Sequence, residues 1–356
     1  MGTTTPQTAM SFAFVTNSGS GTVSAFAVSN SGSLSLISGA PFQAGPGAEF
    51  LAFDSVHKLL FVNNQTANTV SAFSVSTSSG MLTAVPGSPF ATGARPTGIA
   101  VDPAGKFVFV ANQAANSISV FSIGANGALS SVPGSPFAAN NPYGLAISSG
   151  GTVLFANNFP DSQTTDLNTV SAFQIGADGA LTAVSGSPFA TANSTGFASA
   201  IGLAAGPSGK FLFVADHMAQ AIVPFSIAST GALTPLTTLP TPAPSCSVSC
   251  HNNPLRLTVH PNDRFVYASN VQAGTLSAFS MTNGTLSSIA EVATGQHPFG
   301  VALDPAGGFL YVANKVDNTI STYSVNSSTG MVAPLSGSPF SGALNKPTDI
   351  VVIARQ

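Results

Sequence analysis

The chain has 356 residues, a formal net charge of −3 and only 6% charged residues, with nine Lys or Arg. It has no basic run and so lacks the cationic footprint that a phosphate backbone requires, which excludes nucleic acid as a partner. Its longest apolar stretches, such as Leu59 to Val62 and Phe107 to Ala111, fall far short of the ~20 residues that cross a bilayer, so no membrane span is expected.

The first ten residues, MGTTTPQTAM, carry neither the positive n-region nor the apolar run of a signal peptide, and residues 1–10 are expected to be a disordered lead-in. From Ser11 onward one phrase recurs in seven copies: FAFVTN, LLFVNN, FVFVAN, VLFANN, FLFVAD, FVYASN and FLYVAN. The copies end on Asn17, Asn64, Asn112, Asn158, Asp216, Asn270 and Asn314, 44 to 58 residues apart, which is the period of a propeller blade.

Within one period, PTGIAVD, KFVFVAN, NSISVFSI and GALSSVPGSPF read as four short strands. They are rich in Val, Ile and Phe, are bounded by Gly, Pro, Asn and Asp, and are too short for helices. DPAGK at Asp102 to Lys106 and DPAGG at Asp304 to Gly308 are tight hairpin turns, with Pro presetting one φ and Gly taking the left-handed position. The repeated GSPF phrases, as at Gly87 to Phe90, read as a turn followed by an aromatic plug between neighbouring blades.

The first repeat starts directly at its second strand, whereas the last residues, KPTDIVVI at Lys346 to Ile353, match a first strand. The C-terminus is therefore expected to complete the N-terminal blade, and the closed ring hides its sheet edges. The expected fold is all-β: one seven-bladed β-propeller of four-stranded antiparallel blades over residues 11–356, with a Pro-rich insertion at about 239–253.

FVTN at Phe14 to Asn17, YVAN at Tyr311 to Asn314 and the NTVSAF or NTISTY that follows resemble the YVTN repeat. The whole chain resembles the YVTN and 6-phosphogluconolactonase-like propellers. That resemblance implies the seven-bladed fold and, as an activity, hydrolysis of a lactone ester. Lactonase-type members are similar in having a PRH element that opens an inner strand and, after the next strand, an NE pair supplying an active-site Glu. In PLRLTVHPNDRFVYASNV, Pro254 to Val271, the Arg position falls on Leu255 and the Glu position on Val271. Arg256 is displaced by one residue, which on a regular strand turns a side chain to the other face.

Inner strands of a propeller converge on the central channel, so their entries meet at its mouth. The position before the usual Pro holds Gly47, Arg95, Asn141, Ser199, Asn253, His297 and Lys346, and the position after it Glu49, Thr97, Tyr143, Ile201, Leu255, Phe299 and Thr348. One further on, Phe50, Arg256 and Asp349 replace the Gly of other blades. The architecture demands none of these identities, and the mouth is richer in charge than the rest, so a binding role is the economical reading. Arg95, Arg256 and Lys346 are candidates for holding an anion or oxyanion, and Glu49, His297 and Asp349 are candidate bases. Tyr143, Phe299, Asn141 and Asn253 are candidate ligand contacts. Asp216 and His217, in the loop after the second strand of the fifth repeat, are candidates too, although neighbours on an extended chain point apart.

CSVSCH at Cys246 to His251 is one residue longer than the haem-attachment pattern, and Cys246 and Cys250 are read as a small disulfide loop. No cofactor motif is present, no two His residues have a zinc-ligand spacing, and a divalent metal held across blades stays open. The low charge and the Cys pair point to an extracytoplasmic chain, periplasmic or secreted. The expected function is a monomeric, lactonase-like propeller that binds a small anionic or sugar-derived ligand at the channel mouth and hydrolyses a lactone. The alternative is a non-catalytic propeller for interaction with proteins or surfaces.

Overall fold

The computed structural model describes residues 11–159, 168–191, 200–241 and 252–356. Cys246, Cys250, His251, Ser199, residues 1–10 and most of the Pro-rich insertion lie outside the described residues. Every regular element described is a strand, and no helix is long and apolar enough to cross a membrane.

Seven antiparallel sheets follow one another around a ring. Their inner strands are Pro347–Ala354 (blade 1), Ala48–Asp54 (blade 2), Pro96–Val101 (blade 3), Pro142–Ile147 (blade 4), Ala200–Ala205 (blade 5), Pro254–Val259 (blade 6) and Pro298–Leu303 (blade 7). Each pairs with the second strand that ends on the recurrent Asn or Asp. The expected closure is present: Ser11–Asn17 pairs with Pro347–Ala354 in the register Phe12 to Ile353 and Phe14 to Val351. The outer position of six blades is split into two short strands, both paired to the third strand, whereas blade 6 has the unbroken strand Thr285–Ala293.

The core lies between blades rather than inside one. Seven apolar clusters each join two neighbours, as Phe14, Val23, Leu60 and Phe73 join blades 1 and 2. Alternation along a strand presents one set of side chains to each neighbouring blade, which is why the second strands are apolar on both faces.

The recurrent Asn has a structural cause. The amide nitrogen of Asn112 donates to Ser117 Oγ at 3.2 Å and to Ser119 Oγ at 2.9 Å, and Asn17, Asn64, Asn158, Asn270 and Asn314 repeat this pattern. Blade 5 offers Ala221 and Val223 at those places, and its residue is accordingly an acceptor: Asp216 takes hydrogen bonds from Asn168 Nδ2 and the Ala219 amide. Asn112 is fully buried. Asn112→Ala strands two hydroxyls in the interior and is expected to cost about 1–3 kcal/mol, measured as a lower urea midpoint with an unchanged slope.

Candidate functional site

All seven inner strands are irregular where they enter the channel, with a register shift directly after the first residue of the strand. The entry residues Gly47, Arg95, Asn141, Asn253, His297 and Lys346 have φ between 39° and 76°. Their carbonyls accept from the amide one residue beyond the recurrent Asn, as Gln113 N to Arg95 O at 3.0 Å and Lys315 N to His297 O at 2.9 Å. This turn brings the end of the second strand and the start of the inner strand to the same rim.

The bulge decides what can point into the channel. In blades 3, 4, 5 and 7 the bulge residue is glycine, and a Cβ there would lie 2.5 Å from Tyr143 O at Gly98, 2.6 Å from Asn157 Oδ1 at Gly144, against Leu255 O at Gly202 and 2.6 Å from Asp349 Cα at Gly300. Phe50, Arg256 and Asp349 instead carry side chains, and each has a polar partner on its second strand. Asn63 Oδ1 accepts from Phe50 N at 2.7 Å, Ser269 Oγ from Arg256 N at 3.3 Å, and Thr16 Oγ1 from Asp349 N at 3.0 Å. Opposite Gly98, Gly202 and Gly300 stand Ala111, Ala215 and Ala313, whereas the amide of Gly144 donates to Asn157 Oδ1 at 2.6 Å, so a polar partner alone does not bring a side chain to the bulge. The same polar groups reach the next blade: Thr16 Oγ1 donates to Glu49 O at 2.8 Å and Ser269 Oγ to Phe299 O at 2.7 Å.

Strict alternation does not govern Arg256. The register shift between Pro254 and Arg256 interrupts it, and the guanidinium crosses from blade 6 to blade 2, its carbon 4.0 Å from the centre of the Phe50 ring. Phe50 meets Tyr143 edge to face at 5.9 Å, and Tyr143 packs on Phe159 at 5.4 Å. In blade 7 Lys315 Nζ lies 4.5 Å from the centre of the Phe299 ring.

Two carboxyl groups belong to this cluster. Glu49 is 9% exposed, its peptide carbonyl fixed by Thr16 and by Thr348 Oγ1 at 2.9 Å. Burial pushes its carboxyl above the usual range, against the opposing pull of Lys315, Arg256 and Arg95, while Asp349 adds to the rise. Asp349 is raised by burial as well, with Arg256 and the amides of Leu51 and Ile350 pulling the other way. Its oxygens accept from those amides at 3.3 and 3.1 Å. The Glu49 carboxylate takes no hydrogen bond from a described residue, which leaves it free to accept one from water. Burial, with Glu49 second, pushes the Tyr143 hydroxyl up to about 12, so it stays a neutral donor.

The structure thus gathers Glu49, Asp349, Arg256 and Tyr143 from blades 2, 1, 6 and 4, with Arg95 and Phe299 at the edge of the set. His297 and Lys346 are exposed on the rim, whereas Asn141 is half-buried and Asn253 is 7% exposed. Asp216 is buried in its capping role, and His217 beside it meets the backbone of Pro254 and Asn253, its pKa lowered by burial. Leu255 is 5% exposed and Val271 half-buried. Among the described residues no three metal-ligating side chains cluster.

Lys315, Thr16 and Phe159 escaped the sequence reading. A signal for Lys315 exists: it stands immediately after Asn314, at the place Val271 occupies in blade 6. Lys315→Met removes the foremost cation acting on Glu49, so the carboxyl of Glu49 is expected to titrate at higher pH than in the unaltered protein, read by carboxyl carbon NMR.

The family model of the seven-bladed β-propeller lactonases matches residues 3–184 and 228–344, most of the chain. The chain belongs to that lactonase family. Among solved structures, the periplasmic gluconolactonase of Pseudomonas aeruginosa is similar at 19% identity and a TM-score of 0.80, over 98% of this chain and 100% of that one. A candidate 6-phosphogluconolactonase from Bacteroides fragilis is similar at 21% identity and a TM-score of 0.80, over 98% and 99% of the two chains. At such identities the structural likeness carries the fold of this lactonase-family chain and not its substrate. No curated protein matches the chain in sequence.

Proposed function

We propose that the chain hydrolyses a sugar-derived lactone at the channel mouth, with Glu49 as general base. The observation that carries this reading is the Glu49 carboxyl. It is buried, hydrogen-bond-free among the described residues, raised above the ordinary carboxyl value by burial, and acted on by three cations from other blades. A carboxylate with a raised pKa is the stronger base, and here it takes a proton from water. The water oxygen then attacks the lactone carbonyl, and Arg256, Lys315 and Arg95 stabilise the oxyanion that forms. As the ring C–O bond breaks, Glu49 returns its proton to the leaving oxygen. Phe50, Tyr143 and Phe159 offer an aromatic wall on which a sugar ring can lie.

The second reading, a non-catalytic interaction propeller, is favoured by Leu255 and Val271, since apolar side chains stand where lactonase-type members place charged ones. An extracytoplasmic location is part of the proposal, supported by the low charge of the chain. Turnover separates the two readings. Base uptake at constant pH in the presence of sugar lactones, above the spontaneous rate, supports the enzyme; its absence across aldonolactones leaves the interaction propeller.

A further inference from the structure

Two nitrogens of the Arg256 guanidinium, Nε and Nη2, are buried and have no hydrogen-bond partner. They lie on one side of the group with parallel N–H bonds, the fork that matches the two oxygens of a carboxylate. Neither carboxylate nearby closes on this fork, because the one contact within 4.0 Å between a basic and an acidic side chain among the described residues joins His57 to Asp54. The flat face of the guanidinium is already used by the Phe50 ring at 4.0 Å, and the backbone is tied through Ser269 to blade 7. Only an in-plane partner is missing. Charged donors held out of water without an acceptor are costly, and in native structures such groups mark an absent ligand, ion or water. Lys315 and Arg95, which like Arg256 act on Glu49, add positive charge to this end of the channel, against the carboxyl groups of Glu49 and Asp349.

We propose that this edge of Arg256 is the receptor for a small carboxylate, the open-chain hydroxy acid that lactone hydrolysis releases. The acid enters in the plane of the guanidinium by displacing the side chains that now cover it. The identity of the acid rests on the lactonase reading; the fork itself does not. A lactone presents one strongly accepting oxygen, whereas its hydrolysis product presents two equivalent ones, so the fork prefers product to substrate and turnover slows as product accumulates.

The test is calorimetric titration of the whole chain with gluconate, with sorbitol as the uncharged analogue and inorganic phosphate as the non-carboxylate anion. Gluconate is expected to bind, sorbitol and phosphate to bind at least about tenfold more weakly, and both Arg256→Met and Arg256→Lys to lose about tenfold or more in gluconate affinity, since a lysine is a point charge without the fork. Against the risk that a variant misfolds, the Nε–H resonances of the four arginines are followed in the unaltered protein. The resonance missing from Arg256→Lys should shift on adding gluconate. An unmoved resonance, equal gluconate binding by Arg256→Met, or phosphate binding as tightly as gluconate overturns the fork. Lactone turnover is scored separately: gluconate bound through Arg256 without turnover keeps the fork and removes the lactonase reading, and turnover without gluconate binding does the reverse.

Discussion

Glu49→Gln is expected to lower kcat for lactone hydrolysis by about two to four orders of magnitude, the usual worth of a positioned general base. The amide keeps the shape of the side chain and cannot accept the proton of the attacking water. The same change should raise stability at neutral pH. Burial raises the carboxyl of Glu49 in the folded protein above its ordinary 4.5, so ionisation is costlier folded than unfolded. The unfolded chain releases its proton first as pH rises. Stability from the protonated form is therefore complete below about 4.5 and is lost as pH climbs through the raised folded value. Asp349 acts in the same direction from 3.8 upward. Thermal melting of both proteins between pH 4 and 8 checks this: the gain from Glu49→Gln should be absent at the acid end and grow with pH. A variant that is both inactive and less stable at neutral pH would contradict this account of Glu49.

Phe50→Ala is expected to cost about 3–5 kcal/mol of folding stability, the range for deleting a buried aromatic ring. Phe50 is 2% exposed and packs with Phe61, Val70 and Val110 in the cluster between blades 2 and 3. Its ring also carries Arg256 on one side and Tyr143 at its edge. The substitution therefore removes packing and releases the guanidinium from its plane, so activity should fall even where the variant is folded. Phe50→Leu separates the two effects, since it restores most of the volume but gives Arg256 no aromatic face. Denaturation midpoints and turnover measured on both variants test this: stability should largely return in Phe50→Leu while activity does not.

The architecture was legible because its causes are local and repeated. Seven copies of one phrase, the turn chemistry of DPAGK and the misplaced first strand at Lys346 to Ile353 together specify number, period and closure. The channel mouth was legible in part. Aligning the strand entries exposes Phe50, Arg256 and Asp349 as departures from a common Gly and Glu49 as the one carboxylate at the position after the usual Pro, and these are the side chains that meet in the channel. What alignment cannot show is direction. The bulge after the first residue of each inner strand breaks the period of two, which is why Arg256 reaches Phe50. Lys315 sits outside the aligned window, in the loop that a turn folds back onto His297. Thr16 lies in a repeat phrase whose packing role hides its bond to Glu49, a residue 33 positions away.

The proposed role of Glu49 is to make the channel mouth of this lactonase-family chain a hydrolytic site. Its most direct test is base uptake at constant pH by the purified chain and by Glu49→Gln, side by side, on δ-gluconolactone and its phosphorylated analogue. Turnover above the spontaneous rate in the unaltered chain, lost in Glu49→Gln while the variant melts no lower, is the predicted result. Turnover retained by Glu49→Gln would contradict the assignment of the base, and none in either protein would contradict the claim itself.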